Sequence, residues 1–143
     1  TAATGVVPTG PTELSLYYGE HFRHPTNRMR RCTIRTDGFV SVNAPYGGGE
    51  FVTRPLTFTG GELVINYSTS VAGGLSVEIQ DAEGRPLDGY KLSQGTEIFG
   101  DEIERVVAWK SGPDLSALAG RAVRLRFVMK EADLYSIQFR QGS

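Results

Sequence analysis

Apolar and polar residues alternate along much of this chain. Val123, Leu125, Phe127 and Met129 are apolar, and Arg124 and Arg126 stand between them. A period of two sends alternate side chains to opposite faces of a strand, so this run predicts a strand with one buried and one wet face. Leu63, Ile65 and Tyr67 repeat the pattern, as do Leu75, Val77 and Ile79. Glycine-containing turn signals cut the runs apart: Asp37-Gly38, Gly47-Gly48-Gly49, Gly60-Gly61, Gly73-Gly74 and Glu83-Gly84. Strands are predicted over residues 13–18, 29–36, 39–43, 51–58, 62–68, 75–81, 104–110, 122–130 and 133–140. Glu131-Ala132 reads as the hairpin connection between the last two. At Asp37-Gly38 the glycine would supply the positive φ of a tight turn. Asp114 would cap one helical turn over 114–118. Residues 1–12 contain Pro8, Gly10 and Pro11 and read as a flexible entry segment, with a single domain over 13–143. Short strands without a long helix predict an all-β fold, a two-sheet antiparallel β-sandwich of jelly-roll type.

Composition narrows the class. A length of 143 residues fits one domain able to bury a core without metal or disulfide staples. A net charge of −1 argues against general nucleic-acid binding. No run approaches the ~20 apolar residues that cross a bilayer. Cys32 is the chain's one cysteine, so no disulfide forms within it, and its strand context reads as a buried, inert thiol. The first residue is Thr1 rather than methionine, which reads as a processed protein or an excised domain.

A series of short motifs carries a resemblance. They are Arg31 to Val42 (RCTIRTDGFVSV), Phe51 to Phe58 (FVTRPLTF), and Val77 to Pro86 (VEIQDAEGRP) with Gly89-Tyr90. Gly100-Asp101 before Trp109-Lys110, Gly120 to Phe127 (GRAVRLRF) and Asp133 to Phe139 (DLYSIQF) complete the series. In this order they resemble the C-terminal β-sandwich that follows a five-bladed propeller in bacterial proteins similar to the family 32 glycoside hydrolases. The resemblance spans about residues 13–140. It implies a non-catalytic accessory domain of a glycosidase-like protein, secreted or periplasmic, whose partner is a polysaccharide or an adjacent propeller. Catalytic carboxylates in that family lie in the propeller, so none has a position here. A purely structural domain and a small glycan-active enzyme are the alternatives.

Candidate sites follow from side-chain chemistry. Trp109 could stack on a sugar ring or pack in the core; Val107 shares its face, and apolar residues on both faces of its strand favour the core. Tyr90 is a further aromatic candidate. Tyr17, Tyr18 and His21, with Phe22 and His24, could form a sugar platform or a join to a neighbouring domain. Arg31 and Arg35 share a strand face with Thr33 and could grip an anionic glycan, since guanidinium groups bind carboxylates and sulfates in a bidentate way. Asp101 and Glu102, with Glu104, are the densest acidic group. Calcium is the one cation they invite, although it takes six to eight oxygens. A solvated acidic loop is the plainer reading, and no organic cofactor is called for.

Overall fold

The computed structural model describes residues 5–142. The fold is all-β and antiparallel, as expected, but the chain divides into two compact units, residues 1–40 and 41–143, rather than at Glu13. The first unit holds a three-stranded sheet, ordered β1 (Val7–Gly10), β2 (Glu13–Glu20), β3 (Arg28–Arg35). Residues 7–10, read from the sequence as loose, are therefore a strand: Val7 faces Ser15 and Pro8 faces Leu14. Pro8 is tolerated because β1 is an edge strand. Residues 1–4 of the predicted entry segment lie outside the described residues.

The second unit holds β4 (Val42–Ala44), β5 (Gly49–Val52), β6 (Glu62–Asp81), β7 (Asp101–Val106) and β8 (Val123–Arg140). Its sheet runs β4-β8-β6-β7, and β5 also pairs with β8. Two predicted reversals are bends instead. Residues 62–68 and 75–81 are one strand, and so are 123–130 and 133–140. β6 and β8 pair from Glu62↔Arg140 to Thr69↔Ala132 and again from Gly74↔Lys130 to Asp81↔Val123. Residues 70–73 bulge out against Glu131, whose φ is 41° and whose carboxylate accepts the Ser70 hydroxyl at 2.5 Å. A bulge of this kind bends a strand without reversing it.

The bend gives the ladder two arms, and the apolar faces of both arms join one core. Leu63, Ile65 and Tyr67 come from the first arm of β6 and Leu75, Val77 and Ile79 from the second. Val123, Leu125, Phe127 and Met129 enter the same cluster from β8. The period-two reading of these runs is correct in every residue. Phe51 stacks on Phe127 at 5.0 Å and Phe58 on Phe139 at 4.0 Å, closing its flanks. Asp114 is not the predicted cap: Leu115 holds the N-cap of a 3-10 turn at Ser116–Leu118 without a side-chain cap bond, and Asp114 accepts the backbone N–H and the hydroxyl of Ser116 in an Asx-type turn beside it.

The Asp37-Gly38 turn works differently. Asp37, not Gly38, takes the positive φ, at 57°. Gly38 is needed for space, because a Cβ there would meet Arg35 Cγ and lie 2.8 Å from the Arg35 carbonyl oxygen.

Candidate functional site

The candidate residues belong to both units. In the first unit, register puts Tyr17 opposite Arg31, Ser15 opposite Thr33 and Glu13 opposite Arg35, so these residues share one face of the sheet. Arg31 spans that face. Its Nε donates to Ser15 Oγ at 2.8 Å, and its Nη2 donates to Thr9 Oγ1 at 3.1 Å and to the Glu13 carboxylate. Its guanidinium therefore ties the three strands together, which accounts for most of its donors. Arg35 is half-buried on the same face.

The other face carries Leu14, Leu16, Tyr18 and Glu20 opposite Ile34, Cys32, Arg30 and Arg28. Glu20 Oε2 accepts from Arg28 Nε and Arg30 Nε, both at 2.9 Å, and Glu20 Oε1 accepts from Tyr18 Oη at 3.0 Å. The Arg28 bond foremost, helped by Tyr18 and Arg30 against partial desolvation, lowers the Glu20 carboxyl to about 2. A carboxyl lowered in the fold stabilises it above the ordinary value of 4.5 and loses that contribution as pH falls toward 2. A carbon-detected titration of Glu20 should therefore show it still ionised at about pH 3. A midpoint near the ordinary value would disprove the clamp.

His21 and Arg23 sit in the connection after β2 with φ of 54° and 64°. Thr26 Oγ1 lies 2.7 Å from His21 Nδ1 and 2.8 Å from His24 Nδ1, so one hydroxyl organises both rings. Phe22 stays 67% exposed beside the Arg23 guanidinium.

One property unites this sheet: among the described residues of unit 1, Ser15 alone is buried. Met29 is 68% exposed, and Leu14, Leu16, Tyr17, Tyr18 and Ile34 are only half-buried. Cys32 is exposed, correcting the expectation of a buried thiol. Alternation showed which face it would take but not how far that face is buried. A maleimide should label Cys32 in the native chain as fast as in the denatured one; strong native protection would contradict the exposed placement.

In the second unit Trp109 is 3% exposed. Its Nε1 donates to the Val77 carbonyl oxygen at 3.1 Å, and its ring meets Tyr90 edge-on at 5.4 Å. Val107 is buried beside it. The core reading of this face is the right one, and Trp109 offers no platform to a sugar. Tyr90 is half-buried against it, with its hydroxyl donating to the Asp114 carbonyl at 3.3 Å. Glu102 Oε1 accepts from Tyr67 Oη and Arg105 Nη1, both at 3.2 Å. Burial above all, with the Glu102 charge, pushes the Tyr67 hydroxyl up to about 12. Among the described residues no three or more His, Cys, Asp or Glu side chains are grouped to hold a metal ion, so Asp101 and Glu102 belong to no such cluster. Likewise no helix among them is long and apolar enough to cross a membrane.

Displaced carboxylates share one direction. Lys91 lowers Asp88, the Arg85 backbone N–H lowers Asp81, and the Ser116 hydroxyl lowers Asp114. Burial raises Glu78, but bonds from Gln80, the Leu92 backbone and Arg126 outweigh it and leave its carboxyl lowered. A glycosidic general acid needs the opposite displacement.

Sequence reasoning passed over one further feature. The loop at 45–49, read only as a turn, forms a wall of an open trough of about 410 Å³ on the second unit. Its polar lining comes from Glu50, Ser76, Glu97 and Lys130, which are scattered over eighty residues and form no local motif. No protein-family model, curated protein or solved structure matches this chain.

Proposed function

We propose that this chain is a non-catalytic accessory β module of a glycosidase-like protein. It docks through the sheet of β1, β2 and β3 onto an acidic surface of an adjoining domain. The observation that carries this reading is the sheet's lack of any buried apolar side chain. Three strands hold together in water when an apolar face is covered, and here neither face carries a buried apolar side chain. Half-buried Leu14, Leu16 and Tyr18 on the face that carries Arg28 and Arg30, with exposed Phe22 in the connection after β2, supply area for a partner to cover.

Charge selects the partner. Residues 1–40 carry five arginines against three carboxylates, while residues 41–143 are net acidic. Arg28 and Arg30 share the single carboxylate of Glu20, so one positive charge there is unbalanced, and both side chains are about half exposed. Guanidinium groups around an apolar centre suit an acidic rim on the partner. The resemblance to the sandwich that follows a five-bladed propeller supplies the candidate partner. The carboxyls that the fold displaces, Glu20, Glu78, Asp81, Asp88 and Asp114, are all lowered, which supports an accessory role.

Hydrogen exchange tests this. In the chain alone, amides of β2 and β3 should exchange at least about a hundredfold faster than those of β6 and β8, because they open without the core. Adding a family 32-type propeller should protect them, and Arg28→Glu with Arg30→Glu should weaken the protection. Equal protection of both sheets in the isolated chain, or no protection by the propeller, would overturn docking.

A further inference from the structure

The trough on the second unit is lined by Glu97 and Ser76 together with Glu50 and Lys130, which neighbouring side chains hold in place. It lies over the second arm of the ladder, where Ser76 faces Val128 and Glu50 faces Val128 from the other side. Arg126 Nη2 donates to Glu50 Oε2 at 2.6 Å, which fixes the Glu50 carboxylate at the trough wall. The same guanidinium reaches buried Glu78 at 3.4 Å, and Gln80 Nε2 donates to Glu78 at 2.9 Å, so the wall is braced from below. Lys130 Nζ rests 4.6 Å from the ring centre of Tyr46, which is 70% exposed and precedes the lining residue Gly47.

Glycines clear the space. A Cβ on Gly74 would run into the Glu97 carboxylate, with Glu97 Cδ at 2.9 Å, and one on Gly48 would press the Met129 carbonyl oxygen at 3.3 Å. Gly74 thus leaves room for the Glu97 carboxylate at the trough. Its floor combines carboxylate acceptors, an ammonium donor and a hydroxyl able to do either. Two carboxylates against one ammonium do not suit an anion, and the polar floor does not suit an acyl chain. Sugar hydroxyls both donate and accept, so they match this mixture, and an opening of this volume falls in the range of small-ligand sites.

We propose that this trough is a carbohydrate subsite, taking an uncharged sugar unit through Glu97, Ser76 and Lys130 with Tyr46 beside Lys130. The proposal does not depend on docking by the three-stranded sheet. It replaces the aromatic candidates Trp109 and Tyr90, which are taken up by packing.

The test is affinity electrophoresis of the full chain in gels containing inulin, levan, xylan or galactan, with a charged dextran sulfate gel as the contrast. At least one neutral polysaccharide should retard the chain. Glu97→Gln and Lys130→Ala should each weaken that retardation about tenfold, the effect of losing one charge-assisted hydrogen bond, and Ser76→Ala, which loses a neutral one, about threefold. Glu83→Gln, away from the trough, should leave it unchanged. Amide shift mapping with the matching oligosaccharide should move Ser76, Glu97 and Lys130 while leaving β2 and β3 in place. No retardation in any neutral gel would overturn the proposal, as would retardation only by dextran sulfate. Retardation that survives all three substitutions in folded variants would also overturn it.

Discussion

Replacing Trp109 by alanine should destabilise residues 41–143 by about 3–5 kcal/mol, read as a shift of the denaturant midpoint in far-ultraviolet circular dichroism. The side chain is 3% exposed, so its removal opens a large cavity beneath Tyr90 and Val77. It also strands the Val77 carbonyl, which loses its indole donor. Trp109→Phe separates the two effects: it restores much of the volume but not the donor, and should cost about 1–3 kcal/mol. A domain of this size has only about 5–15 kcal/mol to lose, so the alanine variant approaches unfolding. Trp109 is the only tryptophan, so its emission reports the transition of the unsubstituted chain, and both variants are read by circular dichroism alone. A midpoint unchanged in Trp109→Ala would contradict the buried placement. The variant is also unfit for testing glycan binding, since any loss would reflect the fold.

A second large effect is expected at the ladder's bend. A Cβ on Gly73 would collide with the Glu131 carbonyl oxygen and lie 2.7 Å from that of Lys130. Both are backbone atoms within a paired strand and cannot swing aside. Gly73→Ala should therefore cost about 2–3 kcal/mol, at the upper end of overpacking. The adjacent Gly74 makes the control. There the obstacle is the far end of the Glu97 side chain, which can rotate away. Gly74→Ala should leave the denaturant midpoint nearly unchanged, yet reduce polysaccharide retardation by expelling Glu97 from the trough. If the two alanines cost the same stability, the bend is not pinned by Gly73.

The core was legible because burial here follows a simple period. Leu63, Ile65 and Tyr67, or Val123 through Met129, carry their orientation in their spacing. Val107 with Trp109 could be assigned the same way. Gly73-Gly74 and Glu131-Ala132 were not legible as bends, because a glycine or a positive φ permits a bend as readily as a reversal. The choice is made by the partner strand, which lies about sixty residues away in sequence. Cys32 failed for another reason: alternation shows which residues share a face but not how far that face is buried. The trough was invisible because Glu50, Ser76, Glu97 and Lys130 meet only after β5, β6 and β8 have paired.

The unbroken backbone through the bend has a consequence for cooperativity. Layers of a sandwich joined only by loops can part at the loops, and one can melt before the other. Here β6 and β8 each run through both arms, and each arm contributes side chains to the same cluster. Neither arm can lose its ladder without pulling on strands that belong to the other. Residues 41–143 should melt in a single transition, with calorimetric and van't Hoff enthalpies equal. The excursion at 82–122 leaves the ladder and returns to it at Asp81↔Val123, so damage anywhere in that excursion loosens a closed circuit rather than an end.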